Sequence, residues 1–168
     1  AEDVFNRHAG IYEAGVVYYL DGPRSDEFNS PGEINRAPHF AGGRLRARVP
    51  EIGGTYSVSM WFWNGMPNDA RPVAGYLFSR GRDHAFGAPG DHLGIGGTIG
   101  HTGKLIFHTG DKADQAFGGS TVIQRWTWNH VVLARDGDRV SVYLNGNPKP
   151  EVDGRDGNGD LRLTETPL

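Results

Sequence analysis

Apolar and polar positions alternate with a period of two along several short segments, most clearly within residues 128–146. Between residues 139 and 144, valine and leucine alternate with arginine, serine and tyrosine. This period places successive side chains on opposite faces of a strand. Asp136-Gly137-Asp138 precedes that run and Asn145-Gly146 follows it; both contain residues that accept the positive φ of tight turns. The pattern predicts a long antiparallel hairpin with one face toward a core.

A second strong strand is predicted at residues 56–63, where the two faces differ in character. Tyr56, Val58, Met60 and Phe62 share one face, and serine and tryptophan occupy the other. No window of ten residues shows helical periodicity. Long loops are predicted at residues 64–72, 82–91 and 110–121, and further strands at residues 15–20, 44–50, 75–79, 92–97 and 105–109.

Composition agrees with an all-β chain in one domain. The 168 residues include 26 glycines and 10 prolines, which makes turns frequent and helices few. A domain of this length buries roughly 70% of its unfolded surface, which is enough for a core without cross-links. We therefore predict an all-β fold of two packed antiparallel sheets, formed as a single domain by residues 1–168.

Charge and cysteine content exclude several functions. The net charge is −3 and no basic stripe stands out, so nucleic acid is not an expected partner. Cysteine is absent, which removes disulfides, thiolate catalysis and cysteine-ligated zinc. No run of 18 apolar residues is present, so no membrane-inserting segment is expected. Because the chain begins at Ala1, we expect a domain excised from a larger protein, or a mature exported form.

An ordered set of short motifs resembles a known family. The resemblance spans residues 6–146, and its pieces are Asn6-Arg7-His8-Ala9-Gly10-Ile11-Tyr12, residues 37–43, residues 56–62, Leu77-Phe78-Ser79-Arg80-Gly81, residues 128–132 and Tyr143-Leu144-Asn145-Gly146. Together they resemble the laminin-G-like group of the concanavalin A-like lectin/glucanase superfamily. The resemblance implies a two-sheet antiparallel jelly-roll sandwich. It implies a secreted, periplasmic or cell-surface bacterial protein, while function stays open because this fold has many uses.

One departure from that family concerns the end of the chain. Domains of this group close with a strand of the type F-x-G-x-(I/L)-D-E-(V/L), and residues 161–168 do not match it. An unpaired sheet edge exposes backbone groups that accept another strand. We therefore expect either a segment of the parent protein or strand exchange with another chain to fill this position. A monomeric mass with a cooperative melt would count against strand exchange.

Aromatic residues carry the prediction of a binding site. Sugar rings stack their apolar faces on tryptophan and tyrosine, and polar neighbours bond the hydroxyl groups. Trp61 and Trp128 are expected to pack in the core, whereas Trp126 and Trp63 are candidates for ligand contact. The polar residues expected to assist them are Arg80, Arg82, Asp83, Asp91 and Asn129.

Oxygen side chains at alternate positions suggest a calcium loop. Asp156, Asn158 and Asp160 have the spacing with which calcium loops begin. The rest of the EF-hand template fails, because Leu161 and Pro167 stand where glycine and glutamate belong. A solvated turn is the alternative.

Two other groups of polar residues suggest further chemistry. Glu151-x-Asp153-x-x-Asp156 resembles the carboxylate cluster of glycoside hydrolases on this fold, although we predict a loop there and the third acid is aspartate. His84 and His92 flank a short loop together with Asp83 and Asp91, which suggests a metal site with a solvated loop as its alternative.

Three functions follow from these predictions. The first is a non-catalytic binding module for a polysaccharide or other glycan, assisted by calcium. The second is a protein–protein adhesion or spacer domain without a glycan site. The third is a polysaccharide hydrolase or lyase, which would depend on Glu151.

Overall fold

A computed structural model describes residues 5, 7–27, 29–49, 52–81 and 89–156. The chain divides into two compact units, residues 1–48 and residues 49–168. Each unit is described by itself below.

The first unit contains two small antiparallel pairs of strands. Strand β1 (Ile11–Tyr12) pairs with β4 (Leu45–Arg46), and β2 (Val16–Asp21) pairs with β3 (Arg36–Phe40). The strand predicted at residues 15–20 is confirmed. The strand predicted at residues 44–50 is reduced to the two residues of β4.

The second unit contains two four-stranded antiparallel sheets that form a sandwich. One sheet has the strand order β12-β11-β10-β5, and the other has the order β6-β7-β8-β9. The predicted all-β sandwich is therefore confirmed. The strands are β5 (Thr55–Trp63), β6 (Val73–Gly81), β7 (Gly90–Gly96), β8 (Lys104–Thr109), β9 (Phe117–Val122), β10 (Trp128–Asp136), β11 (Arg139–Leu144) and β12 (Val152–Arg155).

The predicted hairpin is present as β10 and β11. Asp136 faces Arg139 across a two-residue turn in which Gly137 has a φ of 59°. After β11, Asn145 and Gly146 have φ values of 51° and 73°, the left-handed conformation that asparagine and glycine accept most readily. Both turns predicted from sequence therefore have their expected backbone.

The core lies between the two sheets and is made by the alternate residues that point inward. Phe62 of β5 points into it, as the alternation predicted. The central strands contribute side chains that are almost fully buried, among them Leu93, Ile95, Leu105, Phe107, Val131, Leu133, Val140 and Val142.

The two lateral margins of the sandwich differ. On one side β12 approaches β9, and the Phe117 ring lies so close to Gly154 that a Cβ there would come within 2.9 Å of it. Glu151, which precedes β12, accepts hydrogen bonds from Ser120 and Thr121 of β9. On the other side β5 and β6 are edge strands among the described residues, and core-facing side chains there are only partly buried: Tyr56, Val58, Met60, Leu77 and Phe78.

Three predictions about local structure were wrong. Residues 117–121 were predicted to lie in a loop but belong to β9, because the two glycines at positions 118 and 119 interrupt the alternation of side chains by which a strand is recognised. Residues 152–155 were also assigned to a loop but form β12. Trp61 and Trp128 were expected in the core, yet both lie on the outer face of the sheet, where Trp61 is 47% exposed and Trp128 is half-buried, as the alternation with Phe62 and Val131 requires.

Candidate functional site

Trp126 is a large aromatic side chain held at the rim of the β12-β11-β10-β5 sheet. It lies just before β10, is 58% exposed and has a left-handed φ of 66°. A φ in this region is uncommon for a bulky residue, and such strain concentrates at functional positions. Its backbone N–H donates to the Asn64 carbonyl at 3.0 Å, which ties this segment to the end of β5.

Trp63 packs against Trp126 and completes an aromatic pair. The ring centroids are 5.0 Å apart and the planes meet at 67°, an edge-to-face arrangement. Trp63 is half-buried at the end of β5 and pairs across the sheet with Trp128. The structure therefore brings together the two tryptophans that sequence predicted for ligand contact.

Two further residues hold the Trp126 ring in place. The Arg125 guanidinium lies 4.8 Å from the Trp126 ring centroid and donates to the Gly65 carbonyl at 2.8 Å. A Cβ on Gly65 would come within 3.0 Å of the Trp126 ring, so a larger residue at position 65 would require the ring to shift by a few tenths of an ångström. Sequence reasoning missed Arg125 and Gly65, although both adjoin predicted aromatic residues.

Asn129 follows Trp128 on β10, but its side chain is buried and forms hydrogen bonds within the domain. Its side-chain amide donates to the Thr127 carbonyl at 3.1 Å, and its Oδ1 accepts from Asn145 Nδ2 at 3.0 Å. Asn145 in turn accepts from the His130 backbone N–H at 2.8 Å. Asn129 therefore positions the segment around Trp128 rather than facing solvent.

Arg80 and Asp91 lie in a buried ionic cluster in the interior of the sandwich. Their exposed fractions are 2% and 0%. Asp91 accepts from Arg135 at 3.0 Å and from the Tyr56 hydroxyl at 2.5 Å, and Arg80 donates to the Gly53 carbonyl at 2.9 Å. Burial raises the pKa of the Asp91 carboxyl, while the Tyr56 hydrogen bond and the Arg135 charge oppose that rise. These groups satisfy one another, so we leave Arg80 and Asp91 out of the candidate site.

The calcium loop and the remaining ligand candidates fall largely beyond what the structure describes. Arg82, Asp83, Asn158 and Asp160 lie outside the described residues. Asp156 is described, and its Oδ2 accepts from Arg135 at 2.7 Å while its side chain is 4% exposed. A carboxylate oxygen engaged in this way does not fit an open calcium site. The described residues contain no cluster of three histidine, aspartate or glutamate side chains able to hold a metal.

The three carboxylates that resembled a hydrolase cluster each have a separate partner. Glu151 accepts from Ser120 and Thr121, Asp153 pairs with Arg139 at 3.1 Å, and Asp156 belongs to the buried cluster. Partial burial raises the pKa of Glu151, but the hydrogen bonds from Thr121 and Ser120 outweigh it and hold this pKa below its ordinary value. A depressed pKa does not suit a general acid.

His92 is part of a different group from the one predicted. It pairs across the sheet with His108, and the stacked rings are 4.9 Å apart. Its Nδ1 lies 3.1 Å from the Ser79 hydroxyl, and Tyr76 packs against both imidazoles. His84, the expected second ligand of the sequence-predicted metal site, lies outside the described residues.

A concave surface of about 510 Å³ lies within the first unit and is lined by twelve of the residues between Asp21 and Arg36. Most of its described lining side chains are polar or charged, Pro31 and Ile34 are apolar, and none is aromatic. Sugar sites depend on stacking, so this surface is a weaker candidate than the tryptophan pair.

No helix in the described part of the chain is long and apolar enough to cross a membrane.

Two packed four-stranded antiparallel sheets are the architecture of a concanavalin A-like jelly-roll sandwich. Residues 41–166 match the laminin G family described as the concanavalin A-like lectin/glucanases superfamily. The chain belongs to this superfamily, as the sequence motifs predicted.

A solved structure with a similar fold is domain 4 of AbnA, a GH43 extracellular arabinanase from Geobacillus stearothermophilus, in complex with arabinotriose. The two are 17% identical, the likeness covers 90% of this chain and 70% of that chain, and the TM-score is 0.50. At this identity the likeness concerns the fold. A comparison with curated proteins found no match.

Proposed function

We propose that this chain is a non-catalytic carbohydrate-binding module of an exported protein. The observation that carries the proposal is Trp126, an aromatic side chain that is 58% exposed and held at a φ of 66° beside Trp63. A bulky residue in a strained backbone, with its ring toward solvent, is explained better by ligand contact than by folding. Membership of a lectin and glucanase superfamily supports the proposal.

The neighbouring structure suggests which sugars to test first. Domain 4 of the arabinanase was solved with arabinotriose, so arabinan is the first probe in a panel of soluble polysaccharides. We expect Trp126→Ala to abolish binding, because the ring supplies the stacking surface. Its loss should cost the fold no more than about 1 kcal/mol, the size of an edge-to-face contact.

The experiment is affinity electrophoresis in gels that contain each polysaccharide, followed by calorimetry with those that retard the protein. Tyr76→Ala is the matched control, since this aromatic residue is 53% exposed on a strand of the other sheet. Binding that survives Trp126→Ala would overturn the site. A wild-type protein that binds no polysaccharide would favour the adhesion or spacer function.

The same assay tests calcium and catalysis. Each measurement is run with calcium and with chelator, because a calcium loop at residues 156–160 is a proposal from sequence spacing in which Asp156 would have to release Arg135 to bind the ion. Release of reducing sugars from a bound polysaccharide, lost in Glu151→Gln, would favour the hydrolase alternative.

We further propose that the free edge of β5 accepts a strand from a second copy of this chain. Within the described residues β5 pairs with β10 alone, and it contains no proline, glycine or charged residue that would protect an edge. An uncharged strand pairs with its own copy without repulsion. The partly exposed core-facing side chains Val58 and Met60 would be covered by such a pairing.

A further inference from the structure

A second aromatic group lies on the outer face of the same sheet, next to the tryptophan pair. Trp61 and Trp63 project from the same face of β5, two residues or about 6.7 Å apart. Trp61 lies on this edge strand and is 47% exposed, so much of its ring faces solvent. Sequence reasoning had assigned it to the core.

His130 stands beside Trp61 and is held in a fixed orientation. The two residues face each other across β5 and β10, with ring centroids 5.1 Å apart. The His130 Nε2 lies 2.8 Å from the hydroxyl of Ser59, the next outward-facing residue of β5. An aromatic plane with a hydroxyl and an imidazole at its edge is the combination that contacts a sugar ring and its hydroxyl groups.

The surface around these residues carries little charge. The outward positions of β5 from Ser57 to Trp63 hold only serine and tryptophan, and those facing them on β10 hold alanine, valine, histidine and tryptophan. Along β5 and β10 the first carboxylate on this face is Asp136, beside Thr55 at the far end of the strands, and the other charged side chains of the face lie on β11 and β12: Arg139, Asp153 and Arg155. The strip from Ser57 to Trp63 and its partners on β10 has no charged side chain, which suits a neutral segment of ligand, while the Arg125 guanidinium lies at the rim against Trp126.

We infer that Trp61 and His130 form a second sugar-contact position, so that the site takes an internal segment of a neutral oligosaccharide that runs from the rim along β5. The inference rests on the proposed function and specifies its ligand. One contact at the rim would require only a single sugar, whereas two aromatic groups in line require a chain. The chain-length dependence of affinity therefore separates the two cases.

The test is calorimetry with arabinose oligomers of two to six residues, alongside the same lengths from any other polysaccharide that the wild type binds. We expect wild-type affinity to rise with length until the chain covers both aromatic groups. In Trp61→Ala the longest oligomers should lose at least about tenfold in affinity, which is 1.4 kcal/mol, while the shortest keep theirs. Trp61→Phe should recover most of the loss because it keeps a flat ring.

The outcomes distinguish the inference from the function on which it rests. If Trp61→Ala binds every length as the wild type does while Trp126→Ala binds none, the site ends at the rim and the inference is overturned. If neither substitution affects binding, the proposed site itself is wrong. Thermal melts of both variants show whether a loss of affinity reflects folding, and His130→Ala provides a second variant at the same position.

Discussion

The stacked imidazoles of His92 and His108 predict how the free energy of unfolding changes at acid pH. Burial and the charge of His108 lower the pKa of His92 to about 4, from an ordinary value of 6.5. The unfolded chain therefore binds a proton between these values while the folded chain does not, so the free energy of unfolding falls as the pH falls from 6.5 toward 4. His92 alone accounts for about 2 kcal/mol between pH 7 and pH 5, as an upper bound.

Nuclear magnetic resonance checks this directly through the pH titration of the His92 ring protons. We expect a midpoint near pH 4. His92→Gln, which cannot be protonated in this range, should lose less stability than the wild type between pH 7 and pH 5. A midpoint near 6.5 would show that the ring is hydrated and that neither burial nor His108 makes its protonation less favourable.

The positions of the tryptophans were easier to predict from the sequence than the burial of the ionic groups. The alternation along β5 placed Trp63 on the outer face correctly, and the position of Trp126 two residues before Trp128, among polar residues, made it a candidate for ligand contact. The same alternation assigns Trp61 to the outer face, but its apolar character favoured the core. Arg80 and Asp91 looked like surface ligands because their partners, Tyr56 and Arg135, lie 35 and 44 residues from Asp91 in sequence. Only the fold brings such groups together.

At the scale of the strands, the contact between β9 and the start of β12 depends on the carboxylate of Glu151. Glu151 Oε2 accepts from the backbone N–H groups of Ser120 and Thr121, each at 2.9 Å, and its Oε1 accepts from the Thr121 hydroxyl at 2.6 Å. The pKa of Glu151 is depressed, so its stabilisation is present above its unfolded pKa of 4.5 and is lost as the pH falls through the folded value.

We expect Glu151→Gln to lower the free energy of unfolding by about 1–2 kcal/mol at pH 7, because charge-assisted hydrogen bonds to the backbone are lost. Its stability should also fall less steeply than that of the wild type below pH 4.5. Thr121→Val removes only one hydroxyl donor and should show a smaller loss with the acid dependence kept. Urea denaturation at pH 7 and pH 4 measures both; equal curves for wild type and Glu151→Gln would contradict this role.

Elements with regular alternation and strong turn residues were predictable, and those without them were not. Strands β10 and β11 follow from their valine and leucine spacing and from Gly137, whose φ is 59°. Strand β9 begins Phe-Gly-Gly-Ser and offers no alternation, because its neighbours fill the space above its glycines: the Cβ of a residue at position 118 would come within 2.0 Å of His101. Long-range packing therefore formed this strand, and local sequence could not indicate it.

At the scale of the whole molecule, the unequal margins of the sandwich predict self-association. One margin is closed by β9 and β12, and the other leaves core-facing side chains of β5 and β6 partly exposed. We expect the average mass from sedimentation equilibrium to rise with protein concentration. Val58→Lys should keep the chain monomeric, because a charge at this margin opposes strand pairing.

Val122→Lys is the matched control, since it makes the same change at an exposed valine of β9, on the margin that β9 and β12 close. It should associate as the wild type does. A wild-type mass that stays monomeric at all concentrations would contradict pairing through β5, as would association that persists in Val58→Lys.

The left-handed backbone of Trp126 has a consequence for how this domain can change over evolutionary time. Glycine would adopt a φ of 66° without steric penalty, whereas tryptophan pays roughly 1 kcal/mol or more for it. Mutations toward glycine would therefore be favoured for a domain that serves only as a spacer. Tryptophan persists at such a position only while selection acts on the exposed ring, so the residue found here in related chains would distinguish those still selected for a ligand from those that have lost it.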